Sequence, residues 1–218
     1  MIQDSWFDQL DVTSPEEITR RFAPFVLDTL HPYLNSRAGI SDIQGIRLGW
    51  KSRTGFDDAF GSFKADPRHW YTFNHGGRAE AQFNIGMFPS HVRVGLGFEF
   101  TEKQGGDPSA VTLSYAVFRQ HIASSAEFAR FAAANQIEIE FAPTADGGLG
   151  FAPTSQVQSW EPPPYPPIHW IFCGRLLRRG QDRDVLEDRE AFGCVLKSVL
   201  GGFKPFWRKA QEQAAAFR

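Results

Sequence analysis

Residues 69–103 read HWYTFNHGGRAEAQFNIGMFPSHVRVGLGFEFTEK, and this stretch decides the fold. Apolar and polar side chains alternate through it, the pattern of strands with two unlike faces. If Met87 and Val92 close a hairpin around Phe88–His91, Ile85 meets Val94, Phe83 meets Leu96, Ala81 meets Phe98 and Ala79 meets Phe100. Every member of that face is apolar, and a slip of one residue would destroy the match. The other face then pairs Gly86 with Arg93, Asn84 with Gly95, Gln82 with Gly97 and Glu80 with Glu99. A two-residue Gly76-Gly77 turn would bring the preceding strand alongside. It would set Phe73 beside Glu80, Tyr71 beside Gln82 and His69 beside Asn84.

Working outward, Ser14, Pro15 and Glu17 read as an N-cap, a first helical residue and a capping box. Ile18, Phe22, Val26 and Leu30 continue that helix, with a kink or break expected at Pro24 and an end at Pro32. Trp6, Phe7 and Leu10 should dock on the body. Residues 42–53 alternate as a strand, and 54–68 read as a loop. Asp107-Pro108 and Ser124 with Glu127 open helices to about Ile122 and Asn135. Ile137–Phe141 and Ile168–Leu177 read as strands, with a short one expected at Val157–Trp160. Helices over about 184–200 and 205–217 follow, separated by Gly201-Gly202. The expected fold is α+β and a single domain over residues 1–218. It has a mainly antiparallel sheet with a central three-strand meander, packed by N- and C-terminal helices.

With 42% apolar residues, 21 Phe and 6 Trp, a large core is available. A formal charge of −2 argues against a non-specific polyanion binder. Cys173 and Cys194 have no metal-ligand spacing and read as small buried residues. Residues 1–10 have neither a basic nor an apolar signal-type region, and no apolar run approaches the roughly 20 residues of a membrane span, so a cytoplasmic protein with no signal peptide and no membrane partner is expected. Phe203, Phe206 and Trp207 are many aromatics for a terminal helix, and they suggest a homodimer surface.

The polar face of the meander collects His69, Tyr71, Phe73, Glu80, Gln82, Asn84, Arg93 and Glu99, with Gly95 and Gly97 leaving its middle hollow. A solvated sheet face accounts for this if Arg53, Arg78 or Lys51 neutralises the glutamates. A ligand face accounts for it as well, with His69, Tyr71, Phe73, Asn84, Arg93, Arg53 and Arg78 as binding residues. On that second reading Glu80 and Gln82 point the same way from one strand, as a divalent-cation site requires, and Glu99 supplies a further carboxylate.

Glu80-Ala81-Gln82-Phe83 resembles the Glu-x-Gln motif of PD-(D/E)XK-type restriction endonucleases. The resemblance implies a restriction- or defence-type protein that cleaves DNA phosphodiesters with Mg²⁺. Glu80, Gln82 and Glu99 would be both metal ligands and catalytic residues. That family usually places an acidic residue on the neighbouring strand, where this chain has Tyr71 and Phe73. The alternative is a non-catalytic DNA-recognition module. Tyr71 and Phe73 would stack on a modified or flipped base, and Glu80, Gln82 and Asn84 would read its edge. A third class is a protein-interaction scaffold using the proline-rich Glu161–Pro167. His69, His75 and His91 do not converge in the expected pairing and read as exposed or capping histidines.

Overall fold

A computed structural model describes residues 1–35, 60–74, 82–99, 113–143, 150–161 and 168–216. The strands are β1 (Phe60–Asp66), β2 (His69–Asn74), β3 (Gln82–Phe88), β4 (His91–Glu99), β5 (Ile137–Pro143), β6 (Phe151–Pro153) and β7 (Ile168–Arg178). They form a seven-stranded antiparallel sheet in the order β1-β2-β3-β4-β7-β5-β6, so the expected meander β2-β3-β4 lies at its centre and the class is α+β. The helices are α1 (Ser5–Asp8), α2 (Pro15–Phe25), α3 (His31–Asn35), α4 (Leu113–Phe118), α5 (Ala126–Asn135), α6 (Arg183–Glu187) and α7 (Arg189–Ala216). Among the described residues no helix is long and apolar enough to cross a membrane. The chain divides into two compact units, residues 1–75 with 83–94 and 176–201, and residues 76–82 with 95–175 and 202–218.

In the first unit the lead segment is tied to α6, where the Ile2 amide donates to the Leu186 carbonyl at 2.7 Å. Phe7 and Leu10 are buried as expected, and Trp6 meets Phe25 edge-on at 4.6 Å. Ser14 caps α2 by accepting from the Glu17 amide at 3.2 Å, with Pro15 at the first helical position. Pro24 does not break the helical path. The chain widens into a π turn over Val26–Leu30 and runs on through Pro32 to Asn35. A π turn shifts the bonding partner by one residue, and prolines that lack an N–H are tolerated beside it. The inner stripe of α2 packs Phe22 on Trp70 at 6.0 Å.

The expected loop over 54–68 contains strand β1. Gly61 and Asp66 disguise it, and its pairing with β2 holds it in place. A tight reversal joins the two through Pro67 and Arg68, whose φ of 66° is left-handed. Residues 42–53, the expected first strand, lie outside the described residues.

The second unit has a ring cluster as its core. Phe98 packs on Tyr115 and Phe118, each at 5.2 Å, and Phe118 meets Phe128 at 5.3 Å and 89°. The Tyr115 hydroxyl donates to the Trp160 carbonyl at 2.6 Å, which holds residues 157–160 against α4 without making them the expected strand. β6 forms just upstream instead, pairing Phe151 with Glu140. Ser125, rather than Ser124, caps α5 by accepting from the Phe128 amide.

Helix α7 is unbroken at Gly201-Gly202 and through Pro205. Gly202 is set against Phe131, where a Cβ would overlap the ring, so this glycine serves close packing rather than termination. Phe203, Phe206 and Trp207 are buried in the chain's own core, with Phe203 at 4.9 Å from Phe131, and so offer no free dimer surface. Both cysteines are free; Cys173 is buried, but Cys194 is exposed, against expectation.

Candidate functional site

The sheet register differs from the one the Gly-Gly turn implied. Phe73 lies beside Asn84 rather than Glu80, Tyr71 beside Gly86 rather than Gln82, and Trp70 beside Met87. The displacement is four positions. Side chains alternate with a period of two, so an even displacement changes partners and keeps faces. Trp70 and Thr72 still accompany Ile85 and Met87 on the apolar side, and Tyr71 and Phe73 still accompany Asn84 and Gly86. The connection at residues 75–81 lies outside the described residues. With it lie Arg78, Glu80 and His75, as do Arg53, Lys51 and Trp50 farther upstream.

The displacement brings together residues that the shorter turn would have separated. His69 now stacks on Phe88, centroids 4.7 Å apart and rings 15° from parallel. Phe88 stacks in turn on His91 at 5.0 Å and 8°. The short Pro89-Ser90 connection makes this possible by starting β4 immediately across from the end of β3. Backbone bonding fastens that turn, the Arg179 amide donating to the Ser90 carbonyl at 2.9 Å. One aromatic row therefore crosses three strands at the strand spacing. Tyr71 continues it from His69 at 6.2 Å, and Phe73 follows Tyr71 at 5.9 Å. All five rings are half-buried, which leaves part of each in reach of solvent. His69 and His91 are thus neither capping nor fully exposed. Phe88 and His91 are site residues that the sequence reading missed; only the correct strand register reveals them.

Beneath the row lie two polar side chains. The Arg93 guanidinium sits 4.5 Å from the centroid of Phe88, a cation–π contact, and is 7% exposed. Its Nε donates to Asn84 Oδ1 at 3.1 Å, and Asn84 is 0% exposed. The bond orients the amide: the oxygen faces Arg93, so Nδ2 must face away. Among the described residues Nδ2 has no hydrogen-bond partner.

The titrating groups here are held neutral. Burial pushes His91 down to about 4, helped by the positive charges of Arg93 and Arg178. Burial also lowers His69, partly opposed by its bond to the Pro67 carbonyl and by Asp66, with Arg93 lowering it slightly. His69 Nδ1 donates to that carbonyl at 3.0 Å, leaving Nε2 3.6 Å from Asp66. The arrangement has positive potential, flat rings and a buried hydrogen-bond donor. Chemically it suits a flat ligand that carries acceptors.

The remaining expected site residues fare differently. Gln82 opens β3 and is 8% exposed, and Glu99 closes β4 with its side chain outside the described residues. Away from its turn the central hairpin is solvated on neither face: Gln82 to Met87 and Val92 to Phe98 are all buried. The hollow expected at Gly95 and Gly97 is filled as well. A Cβ on Gly95 would overlap the Cys173 carbonyl of β7, and one on Gly97 would overlap the Trp170 ring. Those glycines admit a neighbouring strand and an indole, not a ligand. Trp160 packs on Phe118 and Phe128.

Among the described residues no group of three His, Cys, Asp or Glu is placed to hold a metal ion. No protein-family model matches this sequence, and no curated protein matches it.

Proposed function

We propose that the chain is a nucleic-acid-recognition module that stacks an unpaired or flipped base on the Phe73–Tyr71–His69–Phe88–His91 row. The carrying observation is that row itself: half-buried rings, with His69, Phe88 and His91 within 15° of parallel across three strands and a nearly buried arginine against the middle one. Base–aromatic stacking contributes about 1–3 kcal/mol per base and tolerates any sequence. Arg93 and Arg178 supply the positive field that a phosphate backbone requires locally, although the whole chain is slightly acidic. Fluorescence anisotropy with a labelled single-stranded oligonucleotide at low salt tests this. The protein should bind, and Tyr71→Ala with Phe73→Ala should weaken binding by about tenfold or more. Absence of binding at low salt would sink the reading.

A second reading keeps one observation. The antiparallel hairpin puts Gln82 and Glu99 at the same end, so Glu80, Gln82 and Glu99 would gather there around Mg²⁺ in a restriction-type endonuclease. Among the described side chains, Gln82 contributes its amide oxygen to such a site. Cleavage of DNA in Mg²⁺ that Glu80→Ala abolishes is the outcome this reading requires.

A further inference from the structure

We infer that Asn84 is the specificity-determining residue of this site, and that it selects bases carrying a carbonyl over those carrying an amino group at the same position. This rests on the base-recognition reading above. An asparagine ordinarily reads adenine with both amide atoms, the oxygen accepting from the N6 amino group and the nitrogen donating to N7. Here the oxygen is committed to Arg93 Nε at 3.1 Å. A second donor brought to that oxygen would also meet the guanidinium, a donor facing a donor. What remains is Nδ2, a pure donor that is buried and has no hydrogen-bond partner among the described residues. A buried donor without an acceptor is costly, and a ligand that brings an acceptor removes the cost. Guanine O6 and the O4 of thymine or uracil are acceptors; adenine N6 and cytosine N4 are donors.

The register supports this placement. Asn84 is the cross-strand neighbour of Phe73 on the ringed side of β2 and β3. Reaching the amide requires a covering side chain to turn aside, and the half-buried Phe73 ring is the neighbour at that position. Stacking and edge-reading then occur at adjacent points, as base recognition needs.

The test uses pairs of short labelled oligonucleotides that differ at one base: dI against dA, and dU against dC. Each pair exchanges a carbonyl for an amino group with little change in shape. Wild type should favour the carbonyl member of both pairs by about tenfold in anisotropy titrations. Asn84→Asp keeps the acceptor for Arg93 and replaces the donor with a second oxygen. It should bring the ratio to one or below while binding still depends on Tyr71 and Phe73. The readout is the ratio, because the added carboxylate lowers affinity for every oligonucleotide. Equal wild-type affinities within both pairs, or an Asn84→Asp ratio equal to wild type, overturns the inference and leaves the stacking reading standing. No binding of any oligonucleotide removes both. If Asn84→Asp does not fold, the wild-type ratios alone decide.

Discussion

Two groups of rings in this protein use the same residue types to opposite ends. In the second unit Phe128 meets Phe118, Trp160 and Phe206 at angles of 89°, 79° and 81°. These edge-to-face contacts are largely shielded from solvent: Phe118 and Phe128 are no more than 1% exposed. In the first unit His69, Phe88 and His91 lie within 15° of parallel, half-buried, with a cation against the middle ring. Edge-to-face packing interlocks rings in three dimensions and excludes water. A parallel row along a sheet stacks ring on ring and stays half-buried, so part of it remains in reach of solvent. The abundance of phenylalanine therefore says little about function; the interplanar angle and the degree of burial say more.

Substitutions in the two groups should separate them. The largest effect is expected for Phe128→Ala, which empties the centre of the dry cluster and should cost about 3–5 kcal/mol in urea unfolding. Oligonucleotide binding at a temperature where the variant stays folded should be unchanged. Phe88→Ala should cost less, about 2 kcal/mol, because its ring is only half-buried. It should also move His91 back toward 6.5 in an NMR titration, since water would reach the imidazole. A His91 pKa that stays near 4 in that variant would break the account of the row.

Acidification should distinguish the groups without mutation. His91 sits at about 4 in the folded chain, below its ordinary 6.5. Above pH 6.5 both folded and unfolded chains hold it neutral. As pH falls below 6.5 the unfolded chain takes up the proton first, so stability falls through the window down to about 4. Between pH 7 and 5 this should cost about 1–2 kcal/mol after allowance for solvent screening. His31 and His69 shift in the same direction and add to it. In His91→Gln the loss on acidification should be smaller, as read from urea midpoints at the two pH values. The smallest effect concerns adjacent glycines of α7. Nothing lies near a Cβ built on Gly201, so Gly201→Ala should stabilise by about 0.5–1 kcal/mol. Gly202→Ala should show no such gain, because its methyl overlaps Phe131 of the dry cluster.

How much of this was legible depends on how far apart in sequence the partners lie. The apolar side of the hairpin was readable from alternation alone, and Phe83, Ile85, Val94 and Leu96 are all fully buried. The Ser14 cap and the strands at Ile137 and Ile168 were readable for the same local reasons. The β2–β3 register was not, because Gly76-Gly77 offers a good tight turn and nothing local favours the longer connection. The face of each residue survived that error; its neighbour did not, and so the His69–Phe88–His91 row went unseen. Gly95 and Gly97 were misread as a hollow because Cys173 and Trp170, which occupy it, come from a strand far along the chain. Asn84 and Arg93 were correctly placed on one face, but their mutual bond follows from burial, which alternation does not report.

The fit of Trp170 over Gly97 limits the order in which the two positions can change. A side chain gained at 97 while the indole remains collides with it; the indole lost first leaves a void beside a strand without a side chain to fill it. Each single step is harmful and only the pair is tolerable, so these positions form a small epistatic lock. A lineage leaves that lock by exchanging both residues together.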